Sequence, residues 1–191
     1  APEQSSPSCV ASPMDVEHLR MLRENVRRFM RECGQMFNQP GLRVLDIAPQ
    51  IHEGARPYFA SSVRIETLDL DPAAGATYTG DICQYNAFLP DGTFDAIVCT
   101  EVLEHTLQPF AAVTELKRLL RPGGHLLLSV PFNFRIHGPL PDCWRFTEHG
   151  LRALFAEWEI VRLDALETPE RCLMPIHYTL ILRRKIESTS T

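Results

Sequence analysis

The sequence predicts an α/β protein built on a doubly wound, mostly parallel β-sheet. Residues 96–100 are a short apolar run with β-branched side chains, as in a strand buried on both faces. Residues 109–120 have helical apolar spacing, and a glycine turn leads to a second apolar run at 125–130. The order strand, helix, strand is that of the βαβ unit, which joins parallel strands.

Composition limits the classes of function. The chain has 191 residues, 45% of them hydrophobic and 23% charged, which are globular values, and its net charge is −5. Because no basic run exceeds residues 183–185, we expect no nucleic acid and no anionic membrane as partner. The sequence shows no transmembrane-length run and no signal peptide pattern. Six scattered cysteines without a CxxC pair predict reduced thiols, a cytoplasmic location and no metal site.

We expect one domain over residues 14–186, between tails at 1–13 and 187–191. Apolar residues recur at three- and four-residue steps over 14–33, which predicts an amphipathic covering helix. Asp15 is its predicted cap, and Gly34 stands where it is expected to end.

Three strands are predicted before the central unit, at residues 41–47, 63–69 and 77–79. The first two end near carboxylates, Asp46 and Asp69. A short helix is predicted after the first strand. Only a brief Pro- and Ala-rich segment separates the second strand from the third, so the usual crossover helix is expected to be missing or reduced to a turn.

The carboxyl-terminal part completes the sheet. A long Pro-containing loop spans residues 131–142, and Thr147 is expected to cap a helix that runs to Phe155. Alternating residues at 159–166 and 176–184 predict an antiparallel edge pair. The expected architecture is therefore a Rossmann-like, seven-stranded sheet with helices on both faces.

Six short motifs, in matching order over residues 42–155, resemble those of class I S-adenosylmethionine-dependent methyltransferases of the small, type 11-like kind. They lie at residues 44–47 (VLDI), 68–72 (LDLDP), 80–82 (GDI), 89–98 (LPDGTFDAIV), 102–105 (VLEH) and 119–124 (LLRPGG). One such motif is weak evidence, but six in register are strong. The resemblance implies S-adenosyl-L-methionine as cofactor.

The resemblance also assigns residues to the cofactor. Asp69 would accept hydrogen bonds from the ribose hydroxyls, and we prefer it to Asp71, which we expect to cap the next turn. Asp81 matches the position that accepts from the adenine amino group, with the Ile82 backbone facing the ring, although a turn-capping role for Asp81 is an equal alternative. The other predicted cofactor contacts are Asp46, Ala48, Leu70, Thr100 and Glu101.

One departure from the family pattern concerns the loop after the first strand. The family has Asp-x-Gly-x-Gly, whereas Ala48 and Gln50 stand at the two glycine positions here. Glycine there permits positive φ and close approach of the cofactor to bare backbone. Either a reshaped loop binds the cofactor through its backbone, with Gln50 turned away, or cofactor affinity is weakened or lost.

The loop after the fifth strand is the predicted acceptor side, because this architecture places acceptor contacts there. His137 is our candidate general base for a hydroxyl acceptor, since an imidazole titrates near working pH; a merely solvated histidine is the alternative. His105 is interpreted as mostly structural. The predicted substrate contacts are Asn133, Arg135, Asp142, Trp144 and Arg145.

The expected function is methyl transfer from S-adenosylmethionine to a small-molecule hydroxyl, amine or thiol, such as that of a sugar or natural product, by in-line displacement. A catalytically silent binding module with a degenerate cofactor loop is the alternative. An NAD-dependent oxidoreductase ranks last, because Gly-x-Gly-x-x-Gly is missing after Asp46.

Overall fold

The computed structural model of the protein describes residues 10–49 and 54–186. The α-helices are α1 (Pro13–Met36), α2 (Pro109–Leu119) and α3 (Glu148–Leu154). The strands are β1 (Arg43–Ile47), β2 (Arg64–Asp69), β3 (Tyr78–Thr79), β4 (Phe94–Thr100), β5 (Leu120–Pro131), β6 (Glu159–Leu166) and β7 (His177–Arg183). Single 3₁₀ turns lie at Arg56–Tyr58, Pro72–Ala74 and Leu103–His105.

The seven strands form one sheet in the order β3-β2-β1-β4-β5-β7-β6. Neighbours from β3 to β5 pair in parallel, whereas β7 pairs antiparallel with both β5 and β6. The predicted mostly parallel sheet with an antiparallel edge pair is therefore confirmed. Strand β4 lies in the middle, and its residues Ala96 to Cys99 are almost fully buried.

Helices cover both faces of the sheet, as predicted. On one face α2 and α3 pack through side chains such as Leu116 and Leu151, which join a large apolar cluster. On the other face α1 packs Phe29 and Met30 against Val98 and neighbouring strand residues. Fully burying one such side chain contributes about 1.5–3 kcal/mol. Among the helices of the described ranges, none combines the length and apolar character that crossing a membrane requires.

The structure shifts the boundaries of the first helix. Its N-cap is Ser12, not Asp15: the Ser12 hydroxyl accepts a hydrogen bond from Asp15 N (3.1 Å), and the Asp15 carboxylate accepts one from Ser12 N (2.8 Å). This reciprocal pair is a capping box. Gly34 lies inside the helix instead of ending it. A glycine is required at this position because α1 crosses close to the next 3₁₀ turn. A Cβ at Gly34 would lie 1.9 Å from the Tyr58 carbonyl oxygen.

Two connections between strands bear on the sequence predictions. The crossover between β2 and β3 is reduced to the 3₁₀ turn Pro72–Ala74, as predicted, and Asp71 caps it by accepting from Ala73 N at 2.8 Å. Strand β5 begins earlier than predicted, at Leu120, which pairs with Phe94 across an irregularity in the register. The predicted glycine turn is thus the start of this long strand.

Candidate active site

The carboxyl ends of β1, β2, β4 and β5 meet at one edge of the sheet. In the parallel register Asp46 pairs with Thr67 and Val98, and Thr100 pairs with Ser129. The predicted cofactor residues at the ends of β1, β2 and β4 therefore lie along the same edge. Such an edge is where open α/β sheets bind ligands.

Asp69 ends β2 with one carboxylate oxygen in use. Its side chain is largely buried, the whole residue being 9% exposed, and its Oδ1 accepts a hydrogen bond from Asp71 N at 2.9 Å. Within the described part of the chain, Oδ2 has no hydrogen-bond partner. A held carboxylate with a free oxygen at the strand end suits a ligand that offers hydroxyl groups.

Asp46 makes a hydrogen bond within the protein. Its Oδ2 accepts a hydrogen bond from Ala55 N at 2.6 Å, and a Cβ at Gly54 would come within 2.9 Å of the same oxygen. Asp46 thereby fastens the far end of the loop that follows β1. Burial raises the pKa of this carboxyl group to about 6, against the opposing effect of the Ala55 hydrogen bond.

Ala48, at the first glycine position of the family pattern, has a left-handed backbone with φ of 47°. Its N–H donates to the Leu68 carbonyl oxygen at 2.8 Å, which ties the turn to β2. The backbone shape that glycine supplies elsewhere in the family is therefore present, although an alanine must adopt it. The prediction for Gln50 lies outside the described residues.

Three further predicted cofactor residues follow β2 or β3: Leu70, Asp81 and Ile82. Asp81 Oδ1 accepts from Cys83 N at 2.8 Å, so the turn-capping role is present and the adenine contact stays a prediction. Ile82 beside it is buried, whereas Leu70, next to Asp69, is 68% exposed. Leu70 thus offers apolar surface beside the Asp69 carboxylate.

Glu101 follows β4 in a strained conformation and is held by buried partners. Its φ is 56°, uncommon for a residue with a side chain and typical of functional sites. Its Oε1 accepts from Ser129 Oγ at 2.7 Å and contacts His177 Nε2 at 2.6 Å. His177 Nδ1 in turn lies 2.9 Å from the Asn25 side-chain nitrogen on α1. Burial acts to raise the pKa of Glu101, but His177 and Ser129 bring it below its ordinary value.

The acceptor loop is organised by an ion pair. Asp142 Oδ1 and Oδ2 accept from the two terminal nitrogens of Arg145 at 2.5 and 2.7 Å, a bidentate pair. Asp142 also accepts from His137 N at 3.0 Å, and Arg145 donates to the Arg135 carbonyl oxygen at 3.0 Å. Burial opposes ionisation of Asp142, but the Arg145 hydrogen bonds dominate and lower its pKa to about 2. Asp142 and Arg145 therefore hold the loop.

The other three predicted substrate contacts have different surroundings. Among the described residues, the buried side-chain nitrogen of Asn133 has no hydrogen-bond partner. Arg135 lies 3.8 Å from the Asp15 carboxylate and so links the loop to α1. Trp144 donates its ring N–H to the Thr106 carbonyl oxygen at 2.7 Å, stacks on Phe146 and remains 39% exposed.

His137 lies beside two residues that the sequence reasoning did not assign to the site. The His137 and His105 rings are 4.9 Å apart between centroids, and Glu104 supplies a carboxylate at the same place. One ligating atom from each of the three lies within 4.8 Å of the others. Burial lowers the pKa of His137 and raises that of Glu104 well above its ordinary value. The signal in the sequence was the spacing of Glu101, Glu104 and His105, which places two polar groups on one short turn just after Glu101.

The cluster changes one expectation. No metal site was predicted, because the six cysteines lack ligand spacing, and histidines far apart in sequence were not considered together. The structure places a buried glutamate and two histidines, one from each of two segments after β4 and β5, in one cluster.

Comparison with known proteins agrees with this architecture. A family model described as a methyltransferase domain matches residues 17–171. A ubiquinone biosynthesis O-methyltransferase of Xanthomonas oryzae is 35% identical over 86 residues, 44% of this chain and 31% of that protein. A demethylmenaquinone methyltransferase of Renibacterium salmoninarum is 30% identical over 125 residues, 60% of this chain and 51% of that protein. The chain thus spans about a third to a half of the length of these two relatives.

Solved structures share the fold at low sequence identity. A S-adenosylmethionine-dependent methyltransferase of Methanosarcina mazei superposes with a TM-score of 0.61 and 17% identity, covering 80% of this chain and 97% of that one. The 1,6-didemethyltoxoflavin-N1-methyltransferase of Burkholderia thailandensis was solved with S-adenosylhomocysteine. It superposes with a TM-score of 0.58 and 19% identity, covering 95% of this chain and 94% of that one.

The residues at the sheet edge fit the cofactor of this family. The free oxygen of Asp69 can accept from a ribose, Leu70 offers apolar surface beside it, and the left-handed turn at Ala48 keeps backbone at the edge. The family model covers most of the chain, and the sheet order, strand ends and turn geometry agree with it. The chain therefore belongs to the S-adenosylmethionine-dependent methyltransferase domain family.

Proposed function

We propose that the protein transfers the methyl group of S-adenosylmethionine to a hydroxyl oxygen of a small-molecule acceptor. The observation that supports this most directly is that the proposed donor site and a cluster of titratable side chains follow strands of the same part of the sheet. In the sheet, β2 with Asp69 lies on one side of β4, and β5, whose following loop carries His137, lies on the other. Glu101, Glu104 and His105 follow β4, and the last two form a cluster with His137. A donor site beside groups that can bind or deprotonate a hydroxyl is the minimum that O-methylation requires.

On the donor side, Asp69 would bind the ribose hydroxyls through Oδ2. Asp81 and the Ile82 backbone would face the adenine, with Leu70 against the ring. The strained backbone at Ala48 and Glu101, together with Thr100, would border the methionine part, and Asp46 would act by holding the loop after β1. Bound there, the cofactor supplies an electrophilic methyl group on a sulfonium sulfur.

On the acceptor side, the loop after β5 would orient the small molecule. The Asp142–Arg145 pair fixes the loop, and Asp142 Oδ2 lies 3.1 Å from His137 Nδ1, which fixes the ring. Asn133, Arg135 and Trp144 belong to the same segment of the chain and are the proposed acceptor contacts. An imidazole so oriented can take the hydroxyl proton as the methyl group arrives, which typically contributes ~10²–10⁴ in rate.

The name of one relative supports an oxygen acceptor as the first class to test, because that protein is called an O-methyltransferase of ubiquinone biosynthesis. The other relative is named for methylation of demethylmenaquinone, and its name gives no acceptor atom. The Burkholderia neighbour is named as an N1-methyltransferase of 1,6-didemethyltoxoflavin, so amines belong in the same panel.

The test is a transfer assay with methyl-deuterated S-adenosylmethionine and a panel of catechols, monophenols, sugars and amines. We expect S-adenosylhomocysteine to form together with a labelled ether in the phenolic group, and Asp69→Ala to reduce both at low cofactor concentration. A protein that binds S-adenosylhomocysteine but labels only amines would contradict the oxygen acceptor. A protein that binds it and labels nothing would instead support the silent binding module that the missing loop glycines suggested.

A further inference from the structure

We propose that Glu104, His105 and His137 bind one divalent metal ion, of the manganese, zinc or cobalt class, on the acceptor side of the site. We further propose that this ion binds the oxygen that is methylated; this second part rests on the proposed function. Three features of the described residues support the ion: the approach of the ligand atoms, a buried carboxyl group without a partner, and an acceptor beside Nδ1 of each imidazole.

The three side chains have nearly the spacing of ligands around one ion. Their ligating atoms lie within 4.8 Å of one another, and His105 Nε2 is 3.8 Å from Glu104 Oε1. Metal bonds to nitrogen and oxygen of about 2.0–2.2 Å place neighbouring ligand atoms roughly 3–3.5 Å apart. Small side-chain rotations therefore bring the cluster to binding geometry.

The buried Glu104 carboxyl group has no partner that would stabilise its negative charge. The residue is fully buried, and neither carboxylate oxygen has a hydrogen-bond partner among the described residues. The nearby Arg145 guanidinium is already engaged in two bonds with Asp142. A buried carboxylate is normally paired or bound to a metal, because leaving it without either is strongly unfavourable.

Each of the two histidines has a hydrogen-bond acceptor beside its Nδ1. His105 Nδ1 lies 3.0 Å from the Pro141 carbonyl oxygen, and His137 Nδ1 lies 3.1 Å from Asp142 Oδ2. Both partners can only accept, so Nδ1 carries the proton in each neutral ring and Nε2 keeps its lone pair. Hydrogen bonding of the outer ring nitrogen to a carbonyl or carboxylate is the usual support of a metal-bound histidine.

The segments that supply the ligands are tied to each other without any ion. The Glu104 carbonyl oxygen accepts from Cys143 N at 2.7 Å and from Trp144 N at 3.1 Å. The turn after β4 is thereby fixed to the loop after β5, which contributes His137. Two imidazoles and one carboxylate suit manganese, iron, cobalt or zinc better than calcium or magnesium, which favour all-oxygen sites.

Such an ion would change how the acceptor loses its proton. A hydroxyl bound to a divalent ion ionises at much lower pH; zinc, for example, lowers the pKa of bound water from 15.7 to about 7. The hydroxyl proton leaves to solvent, and the oxygen attacks the methyl carbon. The O–C bond forms as the C–S bond breaks. The electron pair of the C–S bond stays on sulfur, and S-adenosylhomocysteine is released. His137 would then act as a ligand instead of as the general base.

Three protein ligands leave open positions on the ion, which points to a class of acceptor. A molecule with two neighbouring oxygens, as in a catechol or a vicinal diol, can occupy two positions at once. A monophenol can occupy only one. We therefore infer a catechol-type or diol-type acceptor.

The direct test is a titration of the chelator-treated full chain with Mn²⁺, followed by the loss of the free-ion EPR signal. Mn²⁺ is chosen because thiolates are poor ligands for it, so the exposed Cys143 and Cys172 do not interfere. We expect one ion per chain and at least tenfold weaker binding in Glu104→Gln and in His137→Gln. His149→Gln, an exposed histidine outside the cluster, is the matched control and should bind like the parent.

Thermal unfolding with and without Mn²⁺ separates loss of the site from loss of the fold. Glu104→Gln replaces a buried carboxyl group that has no partner with a neutral amide of the same size, so without metal the Tm of the variant should be at least that of the parent. It should also lose the Mn²⁺-dependent rise in Tm. No saturable Mn²⁺ binding by the parent, or equal binding and equal Tm rises in parent and variants, would overturn the metal site. If the transfer assay still yields a labelled ether in that case, the proposed function survives without the ion; if it yields none, the proposed function fails on its own account.

Discussion

The buried Asp46 carboxyl group predicts an unusual dependence of stability on pH. Its pKa is about 6 in the folded protein, against an ordinary value of 3.8. A pKa raised by folding means that the folded state favours the protonated form. The associated stability is complete below about pH 4 and is lost as the pH rises through 6. About two pKa units at 1.36 kcal/mol each correspond to about 3 kcal/mol.

Asp46→Asn tests this account. An asparagine oxygen can still accept from Ala55 N, but the side chain cannot ionise. The stability of the variant relative to the parent should therefore increase by about 2–3 kcal/mol between pH 4 and pH 7.5. Urea unfolding at several pH values, followed by tryptophan fluorescence and circular dichroism, measures the difference.

A matched control is Glu170→Gln, which removes an exposed carboxylate and should change stability by no more than about 0.5 kcal/mol at any pH. If Asp46→Asn and the parent have parallel stability profiles between pH 4 and 7.5, the Asp46 carboxyl group is not the buried, burial-destabilised group described above. An advantage that shrinks as the pH rises would reverse the sign of the argument.

Three further substitutions test the surroundings of the site. Ala48→Gly should relieve the left-handed strain of about 1–2 kcal/mol and lose part of that gain to unfolded-chain entropy, so urea unfolding should show unchanged or slightly higher stability; a clear loss would contradict the φ of 47°. Gly34→Ala should destabilise by at least about 2 kcal/mol, because its methyl group would meet the Tyr58 carbonyl oxygen, and near-parental stability would show that α1 does not pack there. Arg145→Lys cannot keep both bonds to Asp142, so amide hydrogen exchange in the acceptor loop should become faster, and unchanged protection would argue against the ion pair as the element that holds the loop.

Much of the fold follows from local sequence. Apolar runs predicted the strands, and the short Pro- and Ala-rich segment predicted the reduced crossover that Asp71 caps. The Ser12 cap was also readable, because a serine followed three residues later by an acid is the capping-box pattern.

What the sequence did not reveal depends on contacts between distant segments. Gly34 resembles a helix end until the approach of Tyr58 explains it. Leu120 belongs to β5 only because it pairs with Phe94 across the sheet. Glu104 resembles an ordinary loop acid, and only the packing of the acceptor loop shows that its carboxylate is buried without a partner.

The claim that the cofactor binds at the sheet edge through Asp69 is tested most directly by calorimetric titration with S-adenosylhomocysteine. The parent should bind one molecule per chain. Asp69→Ala should lose about 2–3 kcal/mol of binding free energy, roughly 30- to 150-fold in Kd, because charge-assisted hydrogen bonds are removed. Asp71→Ala, which removes the neighbouring capping carboxylate, should change Kd by only a few fold. No binding by the parent, equal affinity in Asp69→Ala, or a larger loss in Asp71→Ala would contradict this assignment of the cofactor site.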